Sequence, residues 1–447
     1  MSDVVERRTF LRTAAAAGVG LGLAGRADAL WAAPLTGAGA PSDRVRVAVM
    51  GTNSRGAQLA KVVASLPNAQ VTHICDVEEG AAAKGVKAAN NPQVKVVKDL
   101  RRVLDENDVD ALVIAAPDHW HAPAAILATA AGKHVYVEKP CSQNPREGEW
   151  LVAAAKKHQR IVQMGNQRRS WPNLMTMLKE LQAGTVIGRV YYAKGWYDNA
   201  RQPIGVGKPA PVPANLDFEL WQGPAPRRPY KDNLVHYNWH WFWHWGTGEA
   251  CNNGTHEIDV MRWGLGVDYP KRVQSSGGRY HYQDDWEFPD TQVITFDFES
   301  RQSIMWEGRS CNGRSTEGQD RGVAFYGENG SVQVKGDGYT VYDLKGKVVK
   351  TVEEGPKDES GGSVLGPGDQ FDAYHLGNFV DSIRNNTAPN GGIEEGHKSV
   401  TLCHLGNIAW RFGRAMNCDP TNGHILNDTE AMTLWGREYE KGWEPKV

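Results

Sequence analysis

The sequence predicts two successive α/β regions: a parallel sheet covered by helices on both faces, then a large, open, mostly antiparallel sheet. Two observations predict this fold class. From Val45 to Gly165, short apolar runs alternate with helix-like segments, which is the pattern of repeated strand–helix units. After Ser170, a stretch rich in Pro, Gly and aromatic residues is followed by runs with apolar residues at every second position. Such alternation is typical of strands with one buried face.

The elements follow from these local patterns. In the first region the predicted strands are Val45–Met50, Gln70–Cys75, Ala111–Ala115, Val135–Glu138 and Ile161–Gly165, and the predicted helices include Gln58–Ser65, Pro123–Ala131 and Arg146–His158. Residues Ala200–Gly246 are expected to form an irregular loop. The second sheet is predicted to use Val273–Tyr280, Gln292–Phe298, Val323–Tyr326, Ser331–Lys335 and Tyr339–Tyr342, closed by helices at roughly Gln370–Arg384 and Glu394–Arg414.

The first 33 residues resemble an export signal. Arg7 and Arg8 precede an Ala/Gly/Leu-rich run that ends in small residues around Ala29, which supplies the basic region, apolar stretch and cleavage site of a twin-arginine leader. A membrane anchor is the alternative, but the apolar run Ala14–Gly25 is shorter than the roughly 20 residues that a spanning helix needs. We therefore expect a leader at 1–33, a linker at 34–43, folded export to the periplasm or beyond, and no stable membrane insertion after cleavage.

Composition narrows the classes of partner. The chain has 447 residues, long enough for two domains with substantial cores, and a net charge of −2 at pH 7. No cluster of Lys and Arg stands out beyond the leader. The sequence therefore predicts no nucleic-acid partner.

A glycine-rich turn predicts a dinucleotide site. The segment Gly51-Thr-Asn-Ser-Arg-Gly56 follows the first strand and precedes the first helix, where backbone amides can face a pyrophosphate. Asn53 occupies the usual second glycine position, and Asn tolerates left-handed backbone geometry. Asp76 ends the next strand 20 residues after Gly56, where an acid bonds the ribose hydroxyls and repels a 2′-phosphate. NAD is therefore expected as the cofactor rather than NADP. The candidate ligands in these two segments are Gly51, Asn53, Ser54, Arg55, Gly56 and Asp76.

Two further strand ends belong to the same predicted site. Pro117, Asp118 and His121 follow the strand Ala111–Ala115, at the carboxyl edge where such sheets bind ligands. Glu138 and Lys139 end the next strand, directly before Pro140. A surface ion pair at a turn is the alternative explanation of Glu138 and Lys139.

At this point the chain resembles the Gfo/Idh/MocA oxidoreductases, the glucose–fructose oxidoreductase and inositol dehydrogenase family. The resemblance covers essentially everything after the leader. It rests on the Gly51 loop, Asp76, Pro117–His121, Glu138-Lys139-Pro140, Gly246–Gly266, Glu394–Ser399 and Leu402–Ala409. It implies a Rossmann NAD-binding domain at 44–168, a substrate and oligomerisation domain at 169–447, and a homo-oligomer formed through the open sheet. It also implies that Lys139 touches both the nicotinamide ribose and the substrate hydroxyl.

The family's general base lies on a helix in the pattern Asp-x-x-x-His. The resemblance places His256 at the histidine and Asn252 at the usual Asp, so a carboxylate that would raise the basicity of the histidine is missing. A histidine suits removal of a hydroxyl proton, and Lys139 can stabilise the developing negative charge. Asp259 is a candidate substitute for the missing acid, although it can instead orient Arg262 or the start of the helix.

The run His236–Trp245 alternates Trp with other residues and repeats His every four positions. An extended chain would place the indoles on one side against a sugar ring, whereas a helix would align the histidines for a metal. Flanking Pro and Gly favour the extended form, so no metal is predicted; packing beneath the loop remains an alternative. The predicted substrate-binding residues are Trp120, Asn166, Gln167, Arg168, Trp239, His240, Trp243 and His244.

We therefore expect an NAD(P)-dependent oxidoreductase that removes hydride from a hydroxyl of a carbohydrate or polyol. Export implies that the cofactor is tightly bound and does not exchange, because no soluble nicotinamide pool exists outside the cytosol. Two alternatives stay open. One is an NAD-dependent glycoside hydrolase or lyase that oxidises C3 transiently and eliminates the aglycone. The other is a non-catalytic sugar-binding protein.

Overall fold

The structure, a computed structural model, describes residues 44–354 and 368–447. The expected leader and linker, residues 1–43, lie outside the described residues. Within the described ranges, no helix is both long and apolar enough to cross a lipid bilayer.

The first domain contains a six-stranded sheet in the order β3-β2-β1-β4-β5-β6, with every neighbouring pair parallel. The strands are β1 (Val45–Met50), β2 (Ala69–Cys75), β3 (Lys95–Val97), β4 (Ala111–Ile114), β5 (His134–Val137) and β6 (Val162–Met164). The helices are α1 (Arg55–Ser65), α2 (Glu79–Ala89), α3 (Leu100–Leu104), α4 (Asp118–Ala130) and α5 (Pro145–His158). The central strands are buried on both faces, as expected for a parallel sheet covered by helices. The predicted fold class of this domain is confirmed.

The second domain contains a nine-stranded sheet in the order β14-β13-β12-β11-β7-β10-β9-β8-β15. Its strands are β7 (Val190–Asp198), β8 (Arg272–Gly278), β9 (Thr291–Asp297), β10 (Ser303–Arg309), β11 (Arg321–Gly327), β12 (Gly330–Lys335), β13 (Gly338–Tyr342), β14 (Val348–Val352) and β15 (Met416–Asn417). Only the β7–β10 pair is parallel among the described pairings. The prediction of a large, mostly antiparallel sheet is therefore confirmed.

The helices of the second domain join it to the first. They are α6 (Pro172–Gln182), α7 (Phe218–Gln222), α8 (Gly248–Asn252), α9 (Gly254–Leu265), α10 (Gly368–Asn385) and α11 (Ile393–Phe412). Helix α10 contributes Leu376 and Phe379 to the core around β1, and α11 is buried along most of its length. Helix α9 packs on β7, β10 and β11, and Asn252 of α8 contacts Lys139 just after β5, so α8 and α9 lie between the second sheet and the carboxyl edge of the first.

Candidate active site

A cavity of about 540 Å³ opens at the carboxyl edge of the parallel sheet. The loops after β1, β2, β4 and β5 form one side of it, and residues of β7, α8 and α9 form the other. The predicted residues in its lining are Gly51, Asn53, Ser54, Arg55, Asp76, Pro117, Asp118, Trp120, His121, Glu138, Lys139, Gln167, Trp239, His240, Asn252 and His256. Segments distant in the sequence thus converge on one cavity.

The glycine-rich turn is shaped by the two glycines. Gly51 has φ +80°, and a Cβ there would lie 2.6 Å from the backbone nitrogen of Ala116. A Cβ on Gly56 would overlap the carbonyl oxygen of Gly51, so both positions require glycine. Gly56 is not among the residues that line the cavity. Asn53 does not take the left-handed conformation expected from the sequence; its Oδ1 instead accepts a hydrogen bond from Lys84 Nζ at 2.8 Å.

Backbone N–H groups of this turn are available to bind an anion. Helix α1 begins at Arg55, and within residues 44–354 and 368–447 the backbone amides of Asn53, Ser54 and Arg55 have no hydrogen-bond acceptor. Unpaired amides at a helix N-terminus favour a phosphate group. The Lys84 ammonium, held next to Asn53, adds positive charge beside them.

Asp76 is oriented at the end of β2. Its Oδ2 accepts hydrogen bonds from the Thr52 amide at 2.6 Å and from the Thr52 hydroxyl at 3.2 Å, and its Oδ1 accepts from the Glu78 amide at 3.0 Å. Burial raises the pKa of Asp76 above its usual value, and these hydrogen bonds oppose the shift. The free amides, the glycine-shaped turn and this carboxylate fit the pyrophosphate and adenosine ribose of NAD.

The side chain of Arg55, unlike its backbone amide, is not available to a phosphate group. Its Nε donates to Glu138 at 2.9 Å, and its Nη1 donates to Asp372 on α10 at 2.7 Å. Burial favours the neutral form, but the two carboxylates hold the pKa of Arg55 well above its usual value. Arg55 and Glu138 therefore join the glycine-rich turn, the end of β5 and α10 around the cavity.

Lys139 is held by the residue that replaces the family's aspartate. Its Nζ donates to the backbone oxygen of Asn252 at 2.5 Å and to Oδ1 of Asn252 at 3.2 Å. An ammonium has three donors, so one remains for a ligand oxygen. Burial lowers the pKa of Lys139, while Glu138 and Asp118 act in the opposite direction.

Asp118 and His121 support the loops that carry these groups. The His121 ring nitrogens lie 2.6 Å from the carbonyl oxygen of Pro140 and 2.7 Å from that of Ala116, so the ring joins the loops after β4 and β5. Asp118 is buried and accepts a hydrogen bond from Thr247 at 2.5 Å. Burial raises its pKa, and His121 opposes this shift.

His256 lies in the first turn of α9 with its side chain buried, and its Nδ1 has no partner among the described residues. Burial, followed by Lys139, Arg321 and Arg168, holds the pKa of His256 well below its usual value. The imidazole is therefore neutral at physiological pH and can accept a proton.

Asp259 lies away from the cavity. Its carboxylate accepts hydrogen bonds from Arg169, with the Nη2–Oδ1 distance at 2.8 Å, from Ser399 at 2.7 Å and from Asn166 at 3.0 Å. Burial opposes ionisation, but Arg169 holds the pKa of Asp259 below its usual value. Asp259 therefore does not take the place of the missing acid, and it orients Arg169 and, through Ser399, Arg262.

The aromatic run is not extended, so that prediction is wrong. Residues Asn238–Trp241 form a 3₁₀ turn, and the four indoles point to different neighbours. Trp241 stacks on Trp286 with the ring centroids 3.7 Å apart, and Trp243 stacks on Phe288 with the centroids 4.1 Å apart. Of these four indoles, only Trp239 lines the cavity. Its ring stacks on that of His240 with the centroids 3.6 Å apart.

Four of the residues predicted to bind substrate lie outside the cavity lining. Trp243 packs on Phe288, His244 bonds Pro226 within the loop, Asn166 contacts Asp259, and Arg168 pairs with the buried Glu257 at 3.3 Å. Gln167 remains in the lining. The sequence reasoning missed other lining residues, namely Tyr197, Asn199, Arg201, His236, Tyr237 and Asn253. Tyr197–Arg201 is a polar segment at the end of a strand, a signal that would have identified part of this set.

Comparisons with known proteins agree with this architecture. The model for the oxidoreductase family's NAD-binding Rossmann fold matches residues 45–166, and the model for the same family's C-terminal α/β domain matches residues 197–332. A levoglucosan dehydrogenase, solved in complex with NADH and levoglucosan, superposes with a TM-score of 0.66 at 17% identity, covering 84% of this chain and 99% of that one. At this identity the likeness is one of fold.

Curated relatives match part of the chain. A glycosyl hydrolase family 109 protein of Saccharopolyspora erythraea is 35% identical over 214 residues, which is 44% of this chain and 46% of the relative. Inositol 2-dehydrogenase 1 of the same organism is 33% identical over 144 residues, 32% of this chain and 42% of the relative. The chain thus spans about half the length of the curated relatives it matches. The two domain models together match more than half of the chain and identify it as a member of the Gfo/Idh/MocA family of NAD-binding oxidoreductases.

Proposed function

We propose that the protein oxidises a hydroxyl group of a sugar or glycoside by hydride transfer to NAD. The observation that carries this proposal is the convergence of Lys139 and His256 on the cavity that also contains the glycine-rich turn. Bound NAD would supply the hydride acceptor. The protein's own side chains must then bind the carbinol, remove its proton and stabilise the oxygen.

Lys139 and His256 divide these tasks. The Lys139 ammonium, oriented by two hydrogen bonds to Asn252, has a donor left for the carbinol oxygen and can stabilise negative charge there. The neutral imidazole of His256 accepts the hydroxyl proton. Burial, followed by the surrounding cations, disfavours the imidazolium form, and position 252 supplies no carboxylate to offset this, so His256 is a weak base.

The far side of the cavity suits a sugar. Trp239 and Tyr237 present aromatic surface there, with Trp120 on the opposite side, and Asn199 and Arg201 present polar groups. Aromatic faces pack on the apolar face of a pyranose, and a few placed polar groups orient its hydroxyls. The Arg201 guanidinium is held by Glu249 at 2.7 Å and donates to the Tyr237 hydroxyl at 3.0 Å, so this wall is already ordered.

The experiment is a substrate panel. Purified protein, loaded with NAD, is mixed with sugars, polyols and nitrophenyl glycosides while the absorbance of bound NADH is followed. Reduction of NAD by at least one sugar supports the proposal. Binding of sugars without any reduction, across the panel, would favour a non-catalytic sugar-binding protein.

A glycoside hydrolase is the second candidate, because the relative with 35% identity is named as a glycosyl hydrolase family 109 protein. In this case C3 of the sugar is oxidised transiently, the aglycone is eliminated, and the same hydride returns. The panel distinguishes the two: nitrophenol release without net NADH accumulation indicates the hydrolase, and net NADH without nitrophenol indicates the dehydrogenase.

We further propose that the twin-arginine leader exports the protein folded and with its cofactor bound. The Arg7–Arg8 pair and the small-residue cleavage site support this location. A cofactor that cannot exchange must return its hydride to a second carbonyl substrate or to the same sugar. We also propose a homo-oligomer formed through the outer face of the nine-stranded sheet, which light scattering on the purified protein would test.

A further inference from the structure

A second group of ligating side chains lies outside the active site. His73 belongs to β2, and Glu106 and Asp108 belong to the loop between α3 and β4. One ligand atom from each lies within 4.8 Å of those of the other two. Glu106 and Asp108 are two residues apart in one loop, and the fold brings His73, more than 30 residues earlier in the sequence, next to them.

Two polar atoms of this group are buried and lack partners. The His73 side chain is 1% exposed, and neither its Nε2 nor Oδ1 of Asp108 has a hydrogen-bond partner among the described residues. His73 Nε2 lies 4.0 Å from Oε1 of Glu106. Its other ring nitrogen lies 3.0 Å from the Thr72 hydroxyl, as in metal sites where a second contact orients the imidazole. Buried polar atoms almost always have a partner, so these two require an explanation.

Two lysines surround this group of side chains: Lys133 fixes the loop, and the partly exposed Lys95 pairs with the two carboxylates. Lys133 Nζ donates to the backbone oxygens of Glu106 at 2.7 Å and Val109 at 2.9 Å, which holds the loop. Lys95, opposite His73 in the β-ladder, contacts Glu106 at 3.3 Å and Asp108 at 3.7 Å, and its side chain is 53% exposed. Its ammonium thus neutralises the carboxylates, and it can move into solvent.

We propose that His73, Glu106 and Asp108 bind a divalent transition-metal ion, best matched by Zn²⁺, and that Lys95 withdraws when the ion binds. One imidazole with two carboxylates is a ligand set that Zn²⁺ accepts, whereas Mg²⁺ and Ca²⁺ prefer oxygen ligands alone. The binding step is an exchange of one cation for another, with no redox change. The ion would join β2 to the loop before β4, away from the NAD cavity.

Calorimetric titration of the full chain with Zn²⁺, after treatment with a chelator, tests this site. The unaltered chain should bind one equivalent. Asp108→Asn should weaken binding by at least about tenfold. The matched control is Asp105→Asn, which removes the same charge from an exposed residue of the same loop and should bind Zn²⁺ as the unaltered chain does.

Lys95→Ala tests the same site through an expected gain in Zn²⁺ affinity. Because it removes the competing ammonium, it should tighten Zn²⁺ binding, and the side chain that it truncates is 53% exposed. Absence of stoichiometric Zn²⁺ binding by the unaltered chain would overturn the proposed site. An equal loss of Zn²⁺ affinity in Asp108→Asn and Asp105→Asn would also overturn it. Unchanged or weaker binding by Lys95→Ala would overturn the proposed exchange.

Discussion

Restoring the family's acid by Asn252→Asp changes the charge beside Lys139. The amide Oδ1 of Asn252 lies 3.2 Å from Lys139 Nζ, so a carboxylate oxygen in its place would lie about as close. At this distance a unit charge pair is worth about 1 kcal/mol at the dielectric constant of water and about 5 kcal/mol at an effective dielectric constant of 20. The Asn252 amide nitrogen also donates to Glu249 at 3.3 Å, and repulsion from Glu249 reduces the gain. We therefore expect the lower half of this range.

The assay is the pH profile of kcat/KM with the best sugar of the panel. Activity needs the Lys139 ammonium, so it is present below the pKa of Lys139 and falls as the pH rises through it. Burial lowers this pKa in the unaltered protein, and the alkaline limb should therefore lie below the ordinary range of lysine. Asn252→Asp raises the pKa and should move the limb upward by about 1 to 2 pH units.

Asn199→Asp is the matched control, because it adds the same charge to the cavity without a contact to Lys139. Its alkaline limb should move less. An alkaline limb that stays in place or moves downward in Asn252→Asp would refute the assignment of Lys139 as the ionising group.

Four further predictions concern other parts of the molecule. Asp76→Ser should weaken NAD binding and relax the exclusion of NADP, because it removes the carboxylate at the ribose; the ratio of the two dissociation constants measures this. Trp239→Ala should raise KM for the sugar and leave NAD affinity unchanged in a binding titration. Asp259→Ala removes the shorter of the two ion pairs of the buried Arg169, leaving Glu395 at 3.5 Å, and should lower the free energy of unfolding in urea by about 3 kcal/mol. Arg7→Lys with Arg8→Lys should retain the protein inside the cell, as fractionation would show; normal periplasmic accumulation would contradict the export proposal.

The sequence predicted those strands that can be recognised from the pattern of their own residues. Strands β1 and β4 are near-continuous apolar runs because both of their faces are buried, and their positions were predicted within a residue. Strands β7 and β10 were missed. In β10, the partly exposed Met305 lies between buried Ile304 and Trp306 and interrupts the apolar–polar alternation, and β7 precedes a long irregular segment that obscured its end.

In the candidate site too, some residues could be placed from local motifs, whereas others depend on tertiary contacts. The glycine-rich turn and Lys139 lie at the ends of strands, so their motifs were sufficient to place them. The orientation of the indoles was wrong because their stacking partners, such as Trp286 and Phe288, come from another part of the chain. The placement of Asp259 similarly depends on Arg169, a tertiary contact that no local spacing reveals.

The most direct test of the central claim is single-turnover reduction of bound NAD, comparing the unaltered protein with Lys139→Met. The variant removes the ammonium but leaves the glycine-rich turn and Asp76 intact, so it should still retain bound NAD and lose only the contact with the nicotinamide ribose. We predict that the unaltered protein reduces one equivalent of NAD on addition of sugar, and that Lys139→Met does so at least about a hundredfold more slowly. Equal rates in the two proteins would contradict the account.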